Sequence, residues 1–370
     1  MRKFTLFTTI PAILLGIVLG VFSAPAFSQP FELDGDAMAD SAPGTDWNII
    51  NAAGPSGLTE AETDLVVDRP EPNEAQFHGG GSKDELDIPG WGWRKGAPPA
   101  KDDLTNAYAA AFEYKNDFIL VFGMDRYDTS GSAQLGFWFF QDNVAPITNG
   151  TSGSWDGEHQ IGDVLVLVNF TKGGDVPTIE VFYWDGLTAV PVGAPGASLC
   201  QSGWIPSGHD YCGITNASPV AAPWNYEHKD LKGISTTFPM GGFFEGAINL
   251  SSLGLEDVCF TSFLAESRSS ASLDAVLKDF ANSGFPVCSI SVTKSCVAPQ
   301  LNPAETHIIY TITGQVTNDG FGTVYNVDLS DSPAADGAFQ EINCSTTVPT
   351  GNNFPLATLT TNACYLNTIT

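Results

Sequence analysis

The chain has no cysteine in its first 199 residues, and it is poor in basic side chains: 15 Lys and Arg stand against 42 Asp and Glu, a formal charge of -27 at pH 7. A field of that sign repels phosphate backbones and anionic lipids, so nucleic acid and membrane surfaces are not expected partners, whereas cations are. Compact catalytic signatures are also missing. The five histidines (His78, His159, His209, His228 and His307) form no H-E-x-x-H pair, and neither a G-x-S-x-G elbow nor a P-loop occurs. No two of the seven cysteines stand in C-x-x-C spacing, which favours structural disulfides over a zinc or redox site.

What is present begins with an export tag. Met1-Arg2-Lys3 is followed by the nearly uncharged apolar run Phe4 to Val21 and then by Ala24-Pro25-Ala26, the order of a secretory signal peptide with cleavage after Ala26 or Ser28. The expected localisation is secreted or cell surface, where disulfides persist. No second apolar run of spanning length follows, so no membrane insertion is expected after cleavage. Cys200 with Cys212, Cys259 with Cys288, and Cys296 with either Cys344 or Cys364 are the expected bridges. The odd cysteine points to a partner beyond Thr370, hence a truncated chain.

The expected fold class is all-β. Residues 1–28 are the signal peptide, and 29–74 an acidic, Pro- and Gly-rich extended arm with one strand around Asp46 to Ile50. Residues 75–288 carry about eight strand signals with turn residues between them, as in a jelly-roll-like β-sandwich. Leu120 to Arg126 and Ala133 to Gln141 read as a hairpin across a Thr129–Ser132 turn. The one short helix is expected at Ser272 to Asn282, where Leu273, Val276, Leu277 and Phe280 recur at helical spacing. Residues 289–370 read as a smaller immunoglobulin-like sandwich.

Several segments carry a family likeness. Gly79-Gly80-Gly81-Ser82-Lys83-Asp84, Asn106 to Ala111, Phe122 to Tyr127, Gly136 to Asp142 and Gly241 to Gly246 together resemble a functionally uncharacterised domain of exported bacterial surface proteins. The strands around Phe118 to Asp125 and Gly136 to Phe140 are more loosely similar to family 9 carbohydrate-binding modules and related sugar- or haem-binding sandwiches. Ser291 to Cys296, Tyr310 to Gly314 and Asn318 to Gly322 resemble the conserved immunoglobulin-like repeat of bacterial surface proteins. These resemblances imply an exported, non-catalytic protein with an adhesion or glycan-binding role.

The residues offer candidates for that role. Trp91 and Trp93 on a loop, and Trp138 within an aromatic run, could present flat faces to sugar rings if they point outward; otherwise they are core. Arg126 is the polar candidate at the hairpin rim. Asp125, Asp128 and Asp142 would approach one another if the hairpin forms, and such hard oxygen ligands suit Ca²⁺, the candidate cofactor; the alternative is a salt bridge of one of these acids with Arg126. Asp84, Glu85 and Asp87 in the glycine-rich loop form a further candidate cation site. Asp34, Asp36 and Asp40 match positions 1, 3 and 7 of a calcium loop, but position 12 is Thr45, so a solvated acidic arm is the competing reading. The expected partner is a glycan or a cell-surface or matrix component. The alternatives are a carbohydrate-active hydrolase using a pair such as Glu245 and Glu266, or a structural stalk or matrix component.

Overall fold

The computed structural model describes residues 29–40, 45–53, 61–62, 65–170, 178–196, 199–231, 233–256 and 258–288, together with strands and short stretches between 290 and 369. The expected signal peptide, residues 1–28, lies outside the described residues.

The helix α1 (Trp47–Ala53) comes first, then the short strands β1 (Ala61–Glu62), β2 (Val66–Val67), β3 (Glu74–Phe77) and β4 (Gly92–Gly96). Three long strands follow: β5 (Leu104–Tyr114), β6 (Asp117–Arg126) and β7 (Ala133–Phe140). After the short β8 (Ala145–Pro146) and β9 (Ser152–Asp156) come β10 (Val164–Phe170), β11 (Thr178–Trp184), β12 (Ala189–Gly196) and β13 (Tyr211–Thr215). The strands β14 (Val220–Glu227) and β15 (Ile234–Phe238) pair with each other, and β16 (Phe243–Asn249), β17 (Ser262–Arg268) and β18 (Leu277–Gly284) complete the unit.

These strands form two large antiparallel sheets, an all-β sandwich. The first sheet runs β1-β5-β6-β16-β13, with β2 also on β5. The second runs β12-β11-β10-β7-β17-β18-β3-β4-β9-β8. Its two edge strands carry Pro146 in β8 and Pro191 and Pro195 in β12, residues that cannot donate to a further ladder.

Alternation assigns every long strand to two cores at once. Ala107, Ala109, Phe118, Leu120, Phe122, Phe137, Phe139, Val164 and Val166 point between the sheets and form the central core. Their neighbours on the first sheet, Tyr108, Ala110, Phe112, Ile119 and Val121, face outward, yet they are buried under Phe31, Leu33, Trp47 and the β14–β15 pair. Trp138, Phe140, Leu165 and Leu167 on the second sheet are buried under Phe77, Trp91, Trp93 and Trp155. Because both faces of each sheet are covered, the run Phe137 to Phe140 is entirely inside.

Four expectations change. The segment Leu120–Asp142 is not a hairpin, because β6 belongs to the first sheet and β7 to the second. The strand expected at Asp46 to Ile50 is the start of α1, where the Asp46 carbonyl accepts from the backbone of Ile49 and Ile50 and both Trp47 and Ile50 turn inward. The helix expected at Ser272 to Asn282 is instead a turn followed by β18. There the register shifts between Arg268↔Leu277 and Glu266↔Phe280, so a bulge puts Leu277 and Phe280 on one face three residues apart and imitates a helical period. Arg268 also donates to the carbonyls of Ser270 and Ser272, which a helix would need for itself. Finally, the arm is not merely extended: Phe31, Leu33, Ala37 and Trp47 are fully buried.

The bridges Cys200–Cys212 and Cys259–Cys288 form as expected. Further along, β19 (Ile290–Cys296), β20 (Gln300–Leu301), β21 (Ile308–Asn318), β22 (Val324–Val327), β23 (Gln340–Glu341), β24 (Phe354–Leu356) and β25 (Thr361–Ile369) are described. Cys296 and Cys364 sit on opposite flanks of β21, opposite Ile312 and Gln315, so two strand spacings of about 4.8 Å each separate them. Cys344 lies outside the described residues.

Truncating the central core at Phe139→Ala is expected to lower the unfolding free energy by about 3–5 kcal/mol. Trp91→Ala should behave the same way, as a core deletion. Urea titrations followed by tryptophan fluorescence and circular dichroism check both, and a Trp91 variant as stable as the parent would contradict its placement.

Candidate cation sites

The residues proposed from sequence are placed, but not together. Trp91, Trp93 and Trp138 are 2%, 2% and 0% exposed, so none offers a face to a ring. Their indole N–H groups are used internally: Trp91 donates to the Lys83 carbonyl, Trp93 to the Ile147 carbonyl, and Trp138 to Asp84 at 2.8 Å. Arg126 is buried with its guanidinium over the Phe170 ring at 5.5 Å, and burial lowers its pKa. It forms no ion pair with Asp125, Asp128 or Asp142 among the described residues.

Each of the five aspartates expected to bind Ca²⁺ is engaged by the protein itself. Asp84 pairs with the buried Arg268 at 2.7 Å. Asp87 accepts from the Ile88 backbone and starts the short 3-10 turn Ile88–Gly90. Asp125, buried at the end of β6, accepts from Thr105 at 2.8 Å, Asn106 at 2.9 Å and Trp224 at 2.7 Å. Burial pushes Asp125 up to about 7 against those three donors. Asp128 pairs with Lys229 at 2.7 Å. Asp142 accepts from the backbone of Asn143 and Glu158. It follows the far end of β7, eight residues or about 25 Å along an extended strand from Ala133, so it cannot meet Asp125 and Asp128.

Nor do Glu245 and Glu266 face each other across a cleft. Glu245 alternates with the central-core residues Phe244 and Ile248 and emerges on the outer side of the first sheet. Glu266 follows Ala265 and emerges on the outer side of the second, where it lies 3.6 Å from Arg268. Gly136 is opposite it, and any Cβ there would strike the Glu266 carboxylate at 2.3 Å.

What does converge is the acid-rich start of the arm. Carboxylate oxygens of Glu32, Asp34 and Asp40 lie within 4.8 Å of one another, and so do those of Asp34, Asp36 and Asp46. Asx turns shape the segment: the Asp36 backbone donates to Asp34, and the Met38 backbone to Asp36. Glu245 anchors it from the sheet below, accepting from the Gly35 backbone at 2.8 Å and from the Trp47 indole at 3.0 Å. Gly35 has φ +92° and stands against the Thr215 carbonyl, a position that a side chain would strain.

No Lys, Arg or His forms an ion pair with Asp34, Asp36, Asp40, Asp46 or Glu245 among the described residues. Asp46 is fully buried, and its Oδ2 has no hydrogen-bond partner. Burial, with repulsion from Asp36 behind it, raises Asp34 to about 6. Burial and then Glu245 push Asp46 far above the carboxylate range. Burial likewise raises Glu245. Oxygens at these separations can surround one Ca²⁺, whose ligands stand at 2.3–2.6 Å.

Sequence spacing identified Asp34, Asp36 and Asp40 but missed Asp46, which stands one place after the twelfth position of a calcium loop. Glu245, more than two hundred residues away, left no local signal. A second acidic group, Glu74 with Asp103 and Asp279, was not anticipated. Comparison with known proteins gives no match: no family model, curated protein or solved structure is similar to this chain.

Two pH dependences of opposite sign follow. Burial pushes Asp128 up, but bonds from Lys229 and Ser130 outweigh it and hold the carboxyl at about 2. Its contribution is therefore full above about pH 4, the unfolded value, and is lost as pH falls towards 2. Asp128→Asn is expected to flatten the acid limb of thermal melts between pH 4 and pH 2. Asp34 at about 6 and Asp125 at about 7 are raised, so they favour the folded state when protonated and oppose it as pH climbs. In chelator, Tm is expected to fall from pH 5 to pH 8; a melt rising over that interval would contradict the burial of these acids.

Proposed function

We propose that this chain is an exported, non-catalytic module whose sandwich is clamped by Ca²⁺ at its acidic N-terminal segment, and that it serves attachment to a cell-surface or matrix component. One observation carries the reading: Asp34, Asp36, Asp40 and Asp46 gather over Glu245, and among the described residues no Lys, Arg or His forms an ion pair with these four. Leaving that much like charge together in a half-buried place costs several kcal/mol unless something neutralises it. Burial holds Asp46 and Glu245 towards their protonated forms, and a divalent cation would neutralise the remaining carboxylates at neutral pH.

The clamp would hold a structurally important element. Residues 31–50 provide the cover for the outer face of the first sheet, with Trp47 packed on Tyr108 at 4.5 Å and Phe31 on Trp47 at 4.8 Å. Binding an ion there would fix the cover to the sheet through Glu245 and the Gly35 turn. The signal-like N-terminus and the likeness to bacterial surface domains support an extracellular setting, where Ca²⁺ at high concentration suits a site of modest affinity. The buried positions of Trp91, Trp93 and Trp138 favour a surface other than an aromatic sugar platform.

Ca²⁺ at a hundred times its dissociation constant would add about 2.7 kcal/mol of stability. That corresponds to a rise in Tm of about 5–10 °C for a sandwich of this size. Melts of the protein at pH 7.5 in chelator and in Ca²⁺ check this. Asp46→Asn should abolish the rise without reducing stability in chelator. Identical melting curves with and without Ca²⁺ would sink the proposal.

A further inference from the structure

A different set of acids meets where the chain passes from one sheet to the other. The strand β2 pairs with β5 in the first sheet, and β3 pairs with β18 in the second, so the segment between them crosses the corner of the sandwich. Four carboxylates lie at that corner: Asp68 just after β2, Glu74 opening β3, Asp103 just before β5, and Asp279 in β18. Oxygens of Glu74, Asp103 and Asp279 are all within 4.8 Å of one another, and Asp68 is in hydrogen-bonding contact with Asp279.

Each of the four also has a buried oxygen with no partner: Asp68 Oδ2, Glu74 Oε1, Asp103 Oδ1 and Asp279 Oδ1. Asp279 is completely buried. Its other oxygen accepts from the Leu104 backbone at 2.8 Å. No Lys, Arg or His pairs with any of the four among the described residues. Two carboxylates in contact need either a shared proton or a cation between them. A small cleft lined by Val67, Asp68, Arg69, Pro70 and Thr105 adjoins the group at Asp68.

We infer that Asp68, Glu74, Asp103 and Asp279 form a second divalent-cation site, an internal staple of Ca²⁺ type that ties the two sheets at their crossing. Hard, anionic oxygen ligands from four separate segments are the donor set such an ion takes. Loading would join the arm, the start of β5 and the inner strand β18 through one centre. The site shares no residue with the N-terminal clamp, so each can fail alone.

The experiment counts ions. The full chain is stripped with chelator, dialysed against Ca²⁺ at pH 7.5 and assayed for bound calcium by elemental analysis, beside Asp46→Asn, Asp103→Asn and Glu74→Gln. Two ions per chain are expected, falling to one in Asp46→Asn and to one in either Asp103→Asn or Glu74→Gln. Circular dichroism confirms folding, and Glu74→Gln, at a half-buried position, stands in if Asp103→Asn does not fold. One ion, lost only in Asp46→Asn, would overturn the second site and leave the clamp. One ion, lost only in Glu74→Gln, would do the reverse. A corner held by shared protons would show no calcium loss in Asp103→Asn or Glu74→Gln, and would also overturn the inference.

Discussion

A carboxylate withdrawn from water without a counter-charge opposes folding by several kcal/mol, and this protein withdraws many. Asp46, Asp125, Glu245, Glu266 and Asp279 are all essentially without exposed surface. Two solutions to that problem are visible. Asp125 is satisfied by neutral donors from Thr105, Asn106 and Trp224. Glu266 and Asp84 share the buried cation Arg268. In the N-terminal and corner groups backbone and indole donors satisfy some of the oxygens, and among the described residues no buried cation pairs with Asp34, Asp46, Glu245, Asp103 or Asp279.

The second constraint is geometric. Strands buried on both faces need two coats of apolar cover, and an isolated pair of sheets supplies only one. The remaining cover comes from segments that are not part of the long-strand ladders: Phe31 to Ile50 and the β14–β15 pair on one side, and Trp91, Trp93 and Trp155 on the other. Of these, the stretch from Phe31 to Ile50 is rich in acids. The arm is drawn onto the first sheet by Trp47 and Phe31 and pushed away by its own carboxylates, so its docking depends on what neutralises them.

Much of the β architecture was legible from local pattern. The long strands β5, β6, β7, β10 and β11 and both disulfides in residues 200–288 follow from aromatic and β-branched runs between turn residues. Pattern failed where a feature of long range imposed itself. The bulge in β18 gave Leu277 and Phe280 a helical spacing, and Arg268 removed the carbonyls a helix there would have used. The aromatic run Phe137 to Phe140 left the coverage of its outer face undecided, because that cover arrives from Phe77 and Trp91 far upstream. Adjacent strands β6 and β7 looked like a hairpin, since nothing in a turn of Thr, Ser and Gly distinguishes a link within one sheet from a link between two. The acidic sites were the least legible, as Glu245 lies 210 residues from the Gly35 it anchors.

The treatment of the three buried acid groups separates what must be constant from what can respond. Arginine keeps its charge at every ordinary pH, so Asp84 stays paired with Arg268 on the outer side of the second sheet, while burial and then Asp84 raise the neighbouring Glu266 towards its neutral form. With 15 basic residues in the chain, placing one of them at full burial marks a position that stays closed. At the arm and at the corner no such residue is spent. On the proposed reading neutralisation there comes from solution, so the stability of the cover and of the sheet crossing would vary with proton and cation activity. Such a module would fasten its N-terminal cover most firmly where divalent ions are abundant.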